Sequence, residues 1–199
     1  MPFLEHIKTQ TVADWKCKMN ASPWHCPPTQ FEKGTNKYEG VDTFIVVRDP
    51  YSRMISEYYS SHHYSLTEHG DLVRKKNIRV GDLNDPKAMN QWIVNAAETA
   101  MNEGVCHYGH CTALHKFVYD DEGKQLITHV LKMEELSSEF PKLMKRYKLP
   151  VELKHLTVEH HELGIDDLSK EAIAKINEWA GPDFDYFGYE QLDPSKAEQ

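Results

Sequence analysis

Arg48 and Ser56 have the side-chain types and the spacing to bind one phosphate group together. Arg48 follows the apolar run FIVV, and Ser56 comes eight residues later in a helix-like pattern. A guanidinium and a hydroxyl grip an anion from two sides, and a helix N-terminus adds free N–H groups and partial positive charge. A second interpretation is equally open, in which Arg48 pairs with Asp49 or a nearby acid and Ser56 is an ordinary helix-surface residue.

The elements that must position this pair are a buried strand and the helix that follows it. Residues 43–47 are β-branched and continuously apolar, which is typical of a strand buried on both faces. Pro50 suits the first position of a helix, where its missing N–H is not needed, and apolar residues recur at helical spacing after it. We therefore predict a strand over 43–47 and a helix over 50–61. In open α/β sheets ligands bind at the carboxyl ends of strands, where Arg48 lies.

The motif VRDPYSR, which begins at Val47 and is followed by Ser56 and a Tyr-Tyr pair, resembles the 3′-phosphate-binding motif of sulfotransferases. These enzymes use 3′-phosphoadenosine 5′-phosphosulfate (PAPS) as their sulfate donor. In that family an arginine at the strand end and a serine eight residues later hold the 3′-phosphate. The resemblance therefore implies that Arg48 and Ser56 bind the donor.

Three other stretches resemble segments of the same family, in the same order along the chain. WHCPP at 24–28 resembles the segment whose histidine acts as catalytic base, which implies His25 in that role, 23 residues before the arginine. LKMEEL at 131–136 resembles the strand that ends in a Tyr-Glu-Asp-Leu type motif. DFDYFGY at 183–189 is similar to the C-terminal signature of carbohydrate sulfotransferases. The resemblance spans roughly residues 22–190.

Each of these stretches also has a purely structural interpretation. His25, between a tryptophan and two prolines, is also typical of a turn that caps a loop. The 183–189 segment is expected to be structural in either case, with Phe184 and Phe187 packing the C-terminal segment onto the core. Tyr58 and Tyr59 likewise suit the core better than a ligand platform.

The resemblance implies an α/β protein with the three-layer, P-loop-like sulfotransferase fold and a parallel central sheet. Family members also carry an N-terminal loop, with Lys, Gly and Thr, that cradles the 5′-phosphosulfate. HIKTQT at 6–11 resembles a degraded copy, and only 17 residues separate Lys8 from His25, too few for a helix, a return strand and a loop. Glutamine at position 10 also cannot replace a glycine where backbone must approach phosphate. We therefore expect the fold to be N-terminally incomplete.

Caps and apolar spacing predict the other elements of a single domain over 1–199, with an irregular segment at 1–21 and a tail at 191–199. These elements are a short helix near 9–18, an irregular stretch at 62–84, a helix from an Asp85 cap to Gly104, a hairpin or strand approach over 117–131 around the turn at 120–124, a helix capped by Ser138, and a helix capped by Ser169 and stopped by Gly181.

Composition narrows the classes of partner. Lysine and arginine number 23 against 31 acids, for a net charge of −8, which argues against a general nucleic-acid or anionic-membrane binder. There is no apolar run of membrane-spanning length and no targeting segment, so the Golgi location that the resemblance implies has no sequence signal of its own. NAS at 20–22 is a weak glycosylation sequon because proline follows it.

Four cysteines allow two disulfides without requiring them. Cys106, His107, His110 and Cys111 also form a cluster that could bind a metal, but their spacing fits no common zinc pattern. No metal is therefore expected.

The main hypothesis is a PAPS-dependent sulfotransferase that acts on a carbohydrate hydroxyl, as an active enzyme or an inactive fragment. In it His25 accepts the proton of the hydroxyl, since an imidazole is largely neutral at pH 7, while Arg48 and Ser56 hold the donor. The alternative is a non-catalytic domain of the same fold that binds a nucleotide or a glycan. A third hypothesis is a metal-binding or interaction domain built around residues 106–111.

Overall fold

The strand and the helix predicted around Arg48 both form. The computed structural model describes residues 16–19, 25–36, 38–66, 72–74, 83–104, 109–154 and 161–197, with the backbone alone for 61–66 and 72–74. Its strands and longer helices are, in chain order, β1 (Phe44–Val47), α1 (Pro50–His63), β2 (Tyr64–Leu66), β3 (Leu72–Arg74), α2 (Pro86–Glu103), α3 (His115–Val118), β4 (His129–Lys132), α4 (Leu136–Arg146), α5 (Lys170–Trp179) and α6 (Gly181–Phe187).

The central sheet of the described residues is a parallel pair, β1 and β4. Phe44 lies opposite His129 and Val47 lies opposite Lys132, so both strands end at the same edge. The protein is therefore a mixed α/β structure with a small parallel sheet. The larger parallel sheet that the resemblance implies is, within the described ranges, reduced to these two strands.

Helices lie on both faces of this strand pair, but the predicted full burial of β1 is wrong, since only Val47 is buried and Phe44 is 47% exposed. The face that carries Val47 packs against Val118 of α3 and Phe187 of α6. The opposite face carries Leu131 and packs against Phe140 and its neighbours on α4. The region around the strands therefore has three layers, helix, sheet and helix.

The largest hydrophobic core lies beside the sheet, between α1, α2, α5 and α6. The most extensive contact between helices is that of α2 with α5, where Ile93 and Ile176 are fully buried. Tyr58 and Tyr59 of α1 lie in this core, which confirms that they are core residues. Phe184 is buried here and Phe187 against the sheet, so the predicted packing of the C-terminal segment is also confirmed.

Two of the predicted helix caps are confirmed. The Asp85 carboxylate accepts a 2.9 Å hydrogen bond from the Lys87 N–H, and Gly104 ends α2 with φ 73°, a left-handed conformation that favours glycine. The Ser169 hydroxyl accepts from the Ala172 N–H at 3.2 Å. These side chains satisfy helix-end groups that have no partner within the helix.

The prediction of an irregular stretch at 62–84 is wrong where residues are described. Helix α1 extends to His63, and β2 and β3 pair as an antiparallel hairpin with Tyr64 opposite Arg74. Strands of three residues are too short to give a readable alternation of apolar and polar side chains, so the pattern concealed them.

The prediction of a hairpin over 117–131 is met only by a single antiparallel bridge between Tyr119 and Gln125. Its first arm begins as the short helix α3, because the Asp183 carboxylate accepts hydrogen bonds from the N–H groups of Leu114 and His115 at the start of that helix. Its second arm continues into β4, which pairs with β1 instead. A contact from 68 residues away therefore overrides the local pattern.

Three smaller predictions need correction. Ser138 lies inside the first turn of α4, because the chain enters that helix through a 3₁₀ turn at Met133–Glu135. Helix α5 does end before Gly181, but α6 begins there, with Pro182 in its first turn. At the end of the predicted 9–18 helix, Cys17 forms an antiparallel bridge with Phe31, and the rest of that helix lies outside the described residues.

Disulfides join cysteines that the sequence left unassigned. Cys17 and Cys26, nine positions apart in the sequence, are bonded to each other, and Cys111 is also disulfide-bonded. A bonded Cys111 cannot act as a thiolate ligand, which argues against its part in a metal site, and Cys106 and His107 lie outside the described residues. None of the described helices has the length and apolar character needed to cross a membrane.

Candidate functional site

The Glu134 carboxylate joins three of the segments that the sequence singled out. Its Oε1 accepts the backbone N–H of Asp49 at 3.0 Å, and its Oε2 accepts the Tyr189 hydroxyl at 2.9 Å. Asp49 follows β1, Glu134 follows β4 and Tyr189 ends the C-terminal signature. Because β1 and β4 are parallel, their ends meet at one edge, and Glu134 holds the three segments together there.

Electrostatics at this edge favour an ionised Glu134. Partial burial alone would raise the pKa of its carboxyl, but hydrogen bonds from Asp49 and Tyr189, together with the charge of Arg48, hold that pKa below its usual value. Burial and the hydrogen bond to Glu134 raise the pKa of Tyr189. The Lys132 ammonium lies 4.5 Å from the centre of the Tyr189 ring, so two cations lie near this edge.

Arg48 and Ser56 are both half-buried. Arg48 directly follows the last residue of β1, and Ser56 lies in the second turn of α1. No described carboxylate lies within salt-bridge distance of Arg48, although its charge reaches Glu134. Among the described residues neither side chain has a hydrogen-bond partner, so both groups retain their capacity to bind an anion.

The expectation that α1 presents free N–H groups is wrong for Ser52 and Arg53, whose N–H groups are both paired. The Asp49 carboxylate accepts the Ser52 N–H at 2.8 Å, and the Asp49 carbonyl accepts the Arg53 N–H at 2.9 Å. Asp49 therefore serves as a helix cap, and its negative charge occupies the position that a bound anion would take.

His25 lies in a different place, in a cavity of about 400 Å³ beside α1. Its ring lies 4.1 Å from that of His110, centre to centre. His110 Nδ1 is 3.2 Å from Glu57 Oε2, and the Arg53 guanidinium donates to the His110 carbonyl at 2.6 Å. Neither Arg48 nor Ser56 lines this cavity, but Glu57 follows Ser56 directly on the same helix.

The surroundings of His25 make it a weak base. Burial is the main cause that lowers the pKa of its imidazole to about 4, and the charges of His110 and Arg53 lower it further while Glu57 opposes them. The ring is therefore neutral at pH 7 and able to accept a hydrogen bond or a proton, but with less driving force than an ordinary histidine.

Arg53 is the central residue of this cluster. Its Nη2 donates to the carbonyls of His110 and Thr112 at 2.6 and 2.7 Å, and its guanidinium lies 5.4 Å from the Trp179 ring. Its Nη1 is buried and has no hydrogen-bond partner among the described residues. Burial lowers the pKa of Arg53, and the charges of Asp183 and Glu57 offset part of that effect.

Sequence reasoning missed Glu57, gave Arg53 no role of its own within the VRDPYSR motif, and considered His110 only as part of a possible metal cluster. Arg53 and Glu57 are four residues apart and so share one helix face, a signal that was present in the sequence. Nothing in the sequence placed His110 beside His25, because it reaches the cavity only through the fold. Lys8 and Trp24, and the glycosylation sequon, lie outside the described residues.

Comparisons of the chain with family models, with curated proteins and with solved structures found no match.

Proposed function

We propose that this chain is a sulfotransferase that moves a sulfuryl group from PAPS to a hydroxyl of a carbohydrate. The observation that carries the proposal is the contact of Glu134 with Asp49 and Tyr189. Three segments that resemble motifs of one family, separated by 85 and 55 residues, meet at the carboxyl ends of two parallel strands. Ligands of α/β proteins bind at such an edge.

In this proposal Arg48 and Ser56 hold the 3′-phosphate of the donor. Both side chains are half-buried and lack a competing hydrogen bond within the described ranges, so binding need not break an existing contact. A phosphate that bridges a guanidinium and a hydroxyl makes charge-assisted hydrogen bonds. The three-layer arrangement around β1 and β4 is compatible with the sulfotransferase fold and belongs to the same proposal.

His25 is the proposed base. The acceptor hydroxyl gives its proton to the neutral imidazole while its oxygen forms a bond to sulfur. The bond between sulfur and the phosphate oxygen breaks, and its electron pair leaves with adenosine 3′,5′-bisphosphate, in line as in phosphoryl transfer. The low pKa of His25 keeps the base form present throughout the neutral range.

A donor-binding titration tests the first part. We expect adenosine 3′,5′-bisphosphate to bind more tightly than adenosine 5′-phosphate, because only the former carries the 3′-phosphate. Arg48→Ala and Ser56→Ala should each reduce that preference, the arginine by about 10- to 100-fold. Equal binding of the two nucleotides to the unmodified protein would contradict the role of both residues.

Matched controls exist for both substitutions. Arg146→Ala removes the same charge from an exposed position on α4, and Ser60→Ala removes a half-buried hydroxyl one turn further along α1. Both should leave the nucleotide preference unchanged. If Arg146→Ala weakened binding as much as Arg48→Ala, net charge rather than a specific contact would explain the effect.

A second candidate is a non-catalytic domain that binds the nucleotide or a glycan. The low pKa of His25 and the capping of α1 by the Asp49 carboxylate favour it, since both weaken an active site. A transfer assay with labelled donor and a glycan mixture separates the two. Product that disappears in His25→Ala supports the enzyme, whereas nucleotide binding without product supports the binding domain.

A further inference from the structure

A second cavity, of about 990 Å³, lies on the other side of the segment that carries His25. Pro27 lines it, whereas Pro28 lines the smaller cavity of His25. Its walls come from α3, from the Tyr119–Asp121 turn and from the exposed side of α6. None of the residues assigned above to donor binding or proton transfer lines it, so it has no role in the proposed function as stated.

His115 contributes a hydrogen-bonding group of fixed orientation to this cavity. Its Nδ1 lies 2.6 Å from Asp183 Oδ1, and the Asp183 carboxylate, which is 2% exposed, also accepts two backbone N–H groups. An ionised carboxylate only accepts, so Nδ1 carries a proton, and Nε2 is the ring nitrogen that remains to bind a ligand. Nε2 has no hydrogen-bond partner in the described part of the chain.

An aromatic pair lies beside this histidine. Tyr186 stacks on Tyr119 with ring centres 4.1 Å apart and planes 21° from parallel, and 47% of its surface is exposed. The His115 ring lies roughly parallel to that of Tyr186, 6.4 Å away. The cavity therefore combines a flat apolar surface with a directed polar group, the mixture that fixes the orientation of a small ligand.

The charges around the cavity select among ligands. Its lining includes four carboxylates and two ammonium groups, Glu103, Asp120, Asp121, Asp185, Lys18 and Lys116. An excess of negative charge disfavours a nucleotide or another polyanion. It leaves many hydrogen-bonding groups around the aromatic surface, which match the hydroxyl rim and the C–H face of a sugar ring.

We propose that this cavity binds a neutral saccharide, with one sugar ring against Tyr186 and one hydroxyl hydrogen-bonded to Nε2 of His115. The inference deepens the proposed function, because such a sugar would be a further unit of its glycan acceptor, apart from the unit whose hydroxyl meets His25. The inference depends on the proposed function only for the identification of the bound sugar as part of an acceptor. Binding of the sugar itself requires neither the donor nor the residues of the donor site.

The test is a titration of the full chain with methyl glycosides of glucose, galactose and mannose, without nucleotide, followed by NMR. We expect at least one glycoside to bind with about millimolar affinity and to shift the Nε2 resonance of His115, assigned by its loss in His115→Gln. The methyl glycoside of glucuronic acid should bind more weakly, because its carboxylate meets the acidic lining.

Two variants of Tyr186 separate stacking from folding. Tyr186→Ala should weaken saccharide binding by about tenfold, and Tyr186→Phe, which keeps the ring, should bind as the unmodified protein does. Val151→Ala, an exposed apolar residue away from the cavity, is the matched control. Absence of any shift at His115, or equal binding by Tyr186→Ala, would overturn the inference, while failure of the nucleotide titration would leave it standing.

Discussion

The hydroxyl of Tyr189 donates a 2.9 Å hydrogen bond to Glu134 Oε2, and this contact ties the C-terminal segment to the end of β4. The other oxygen of the same carboxylate holds the N–H of Asp49. One acid therefore fixes the relative positions of β4, the start of α1 and the last aromatic residue of the C-terminal signature.

Glu134→Gln should lower stability and change its dependence on pH. The amide oxygen can still accept the Asp49 N–H, but the loss of the charge and of the Tyr189 acceptor should cost below about 1 kcal/mol, because the carboxylate is exposed. The folded pKa of Glu134 lies below its unfolded value. Its contribution is therefore present above the unfolded pKa and is lost as pH falls through the folded pKa.

Urea unfolding at pH 7 and at acid pH measures this effect. The difference between Glu134→Gln and the unmodified protein should shrink as pH falls. Glu135→Gln changes the same charge at the exposed neighbouring position, whose carboxylate has no hydrogen bond or ion pair with the described residues, and should have little effect. A pH-independent difference for Glu134→Gln would show that the charge of Glu134 contributes nothing.

The strand and helix that carry Arg48 and Ser56 could be predicted because their signals are local. A continuous β-branched run defines β1, and Pro50 marks the start of α1. The capping of α1 by Asp49 was also readable, since Asp49 precedes Pro50 as Asp85 precedes Pro86. The resemblance to a phosphate site drew attention to the helix N-terminus as a place for a ligand instead.

The surroundings of His25 could not be predicted, because they come from residues far apart in the sequence. His110 reaches the cavity through a loop held by Arg53. In the second cavity, likewise, the His115–Asp183 contact spans 68 residues. No local pattern encodes such meetings. The burial that lowers the pKa of His25 is likewise a property of the packed fold.

His25 should make the protein less stable as the solution becomes mildly acidic. Its folded pKa of about 4 lies below the ordinary value of 6.5, so between these values the unfolded chain binds a proton that the folded chain does not. Stability therefore rises with pH from about 4 to 6.5 and is lost in the opposite direction. His25→Gln should remove this part of the pH dependence.

Unfolding free energies across that pH window, with NMR titration of the imidazoles, check the prediction. His129→Gln, a variant of a half-buried histidine hydrogen-bonded to Tyr147, should retain the contribution of His25. A His25 resonance that titrates near 6.5 would contradict the burial of this ring in the cavity.

Tyr51→Phe should loosen the C-terminal tail. The Tyr51 hydroxyl accepts a hydrogen bond from the Leu192 N–H at 2.8 Å and donates one to Asn177 Oδ1. The side-chain amide N–H of Asn177 in turn donates to the Leu192 carbonyl at 2.9 Å. Loss of the Tyr51 hydroxyl should lower the free energy of unfolding by about 1–3 kcal/mol and speed proteolysis after residue 190. Tyr186→Phe is the control, since that hydroxyl has no hydrogen bond to the described residues; equal proteolysis of both variants would refute the tether.

The Cys17–Cys26 disulfide should hold His25 in its cavity. The bond closes a loop of nine residues and fixes the residue next to His25 in sequence. The double variant Cys17→Ser/Cys26→Ser should lose about 2–3 kcal/mol of stability through the freer unfolded chain. The pKa of His25 should also rise from about 4 toward 6.5, because a looser loop readmits water to the ring.

Substitution is the sharper test than a reductant, which would also cleave the bond of Cys111. If the double variant loses stability but His25 still titrates near 4, packing against His110 rather than the disulfide sets the position of the ring.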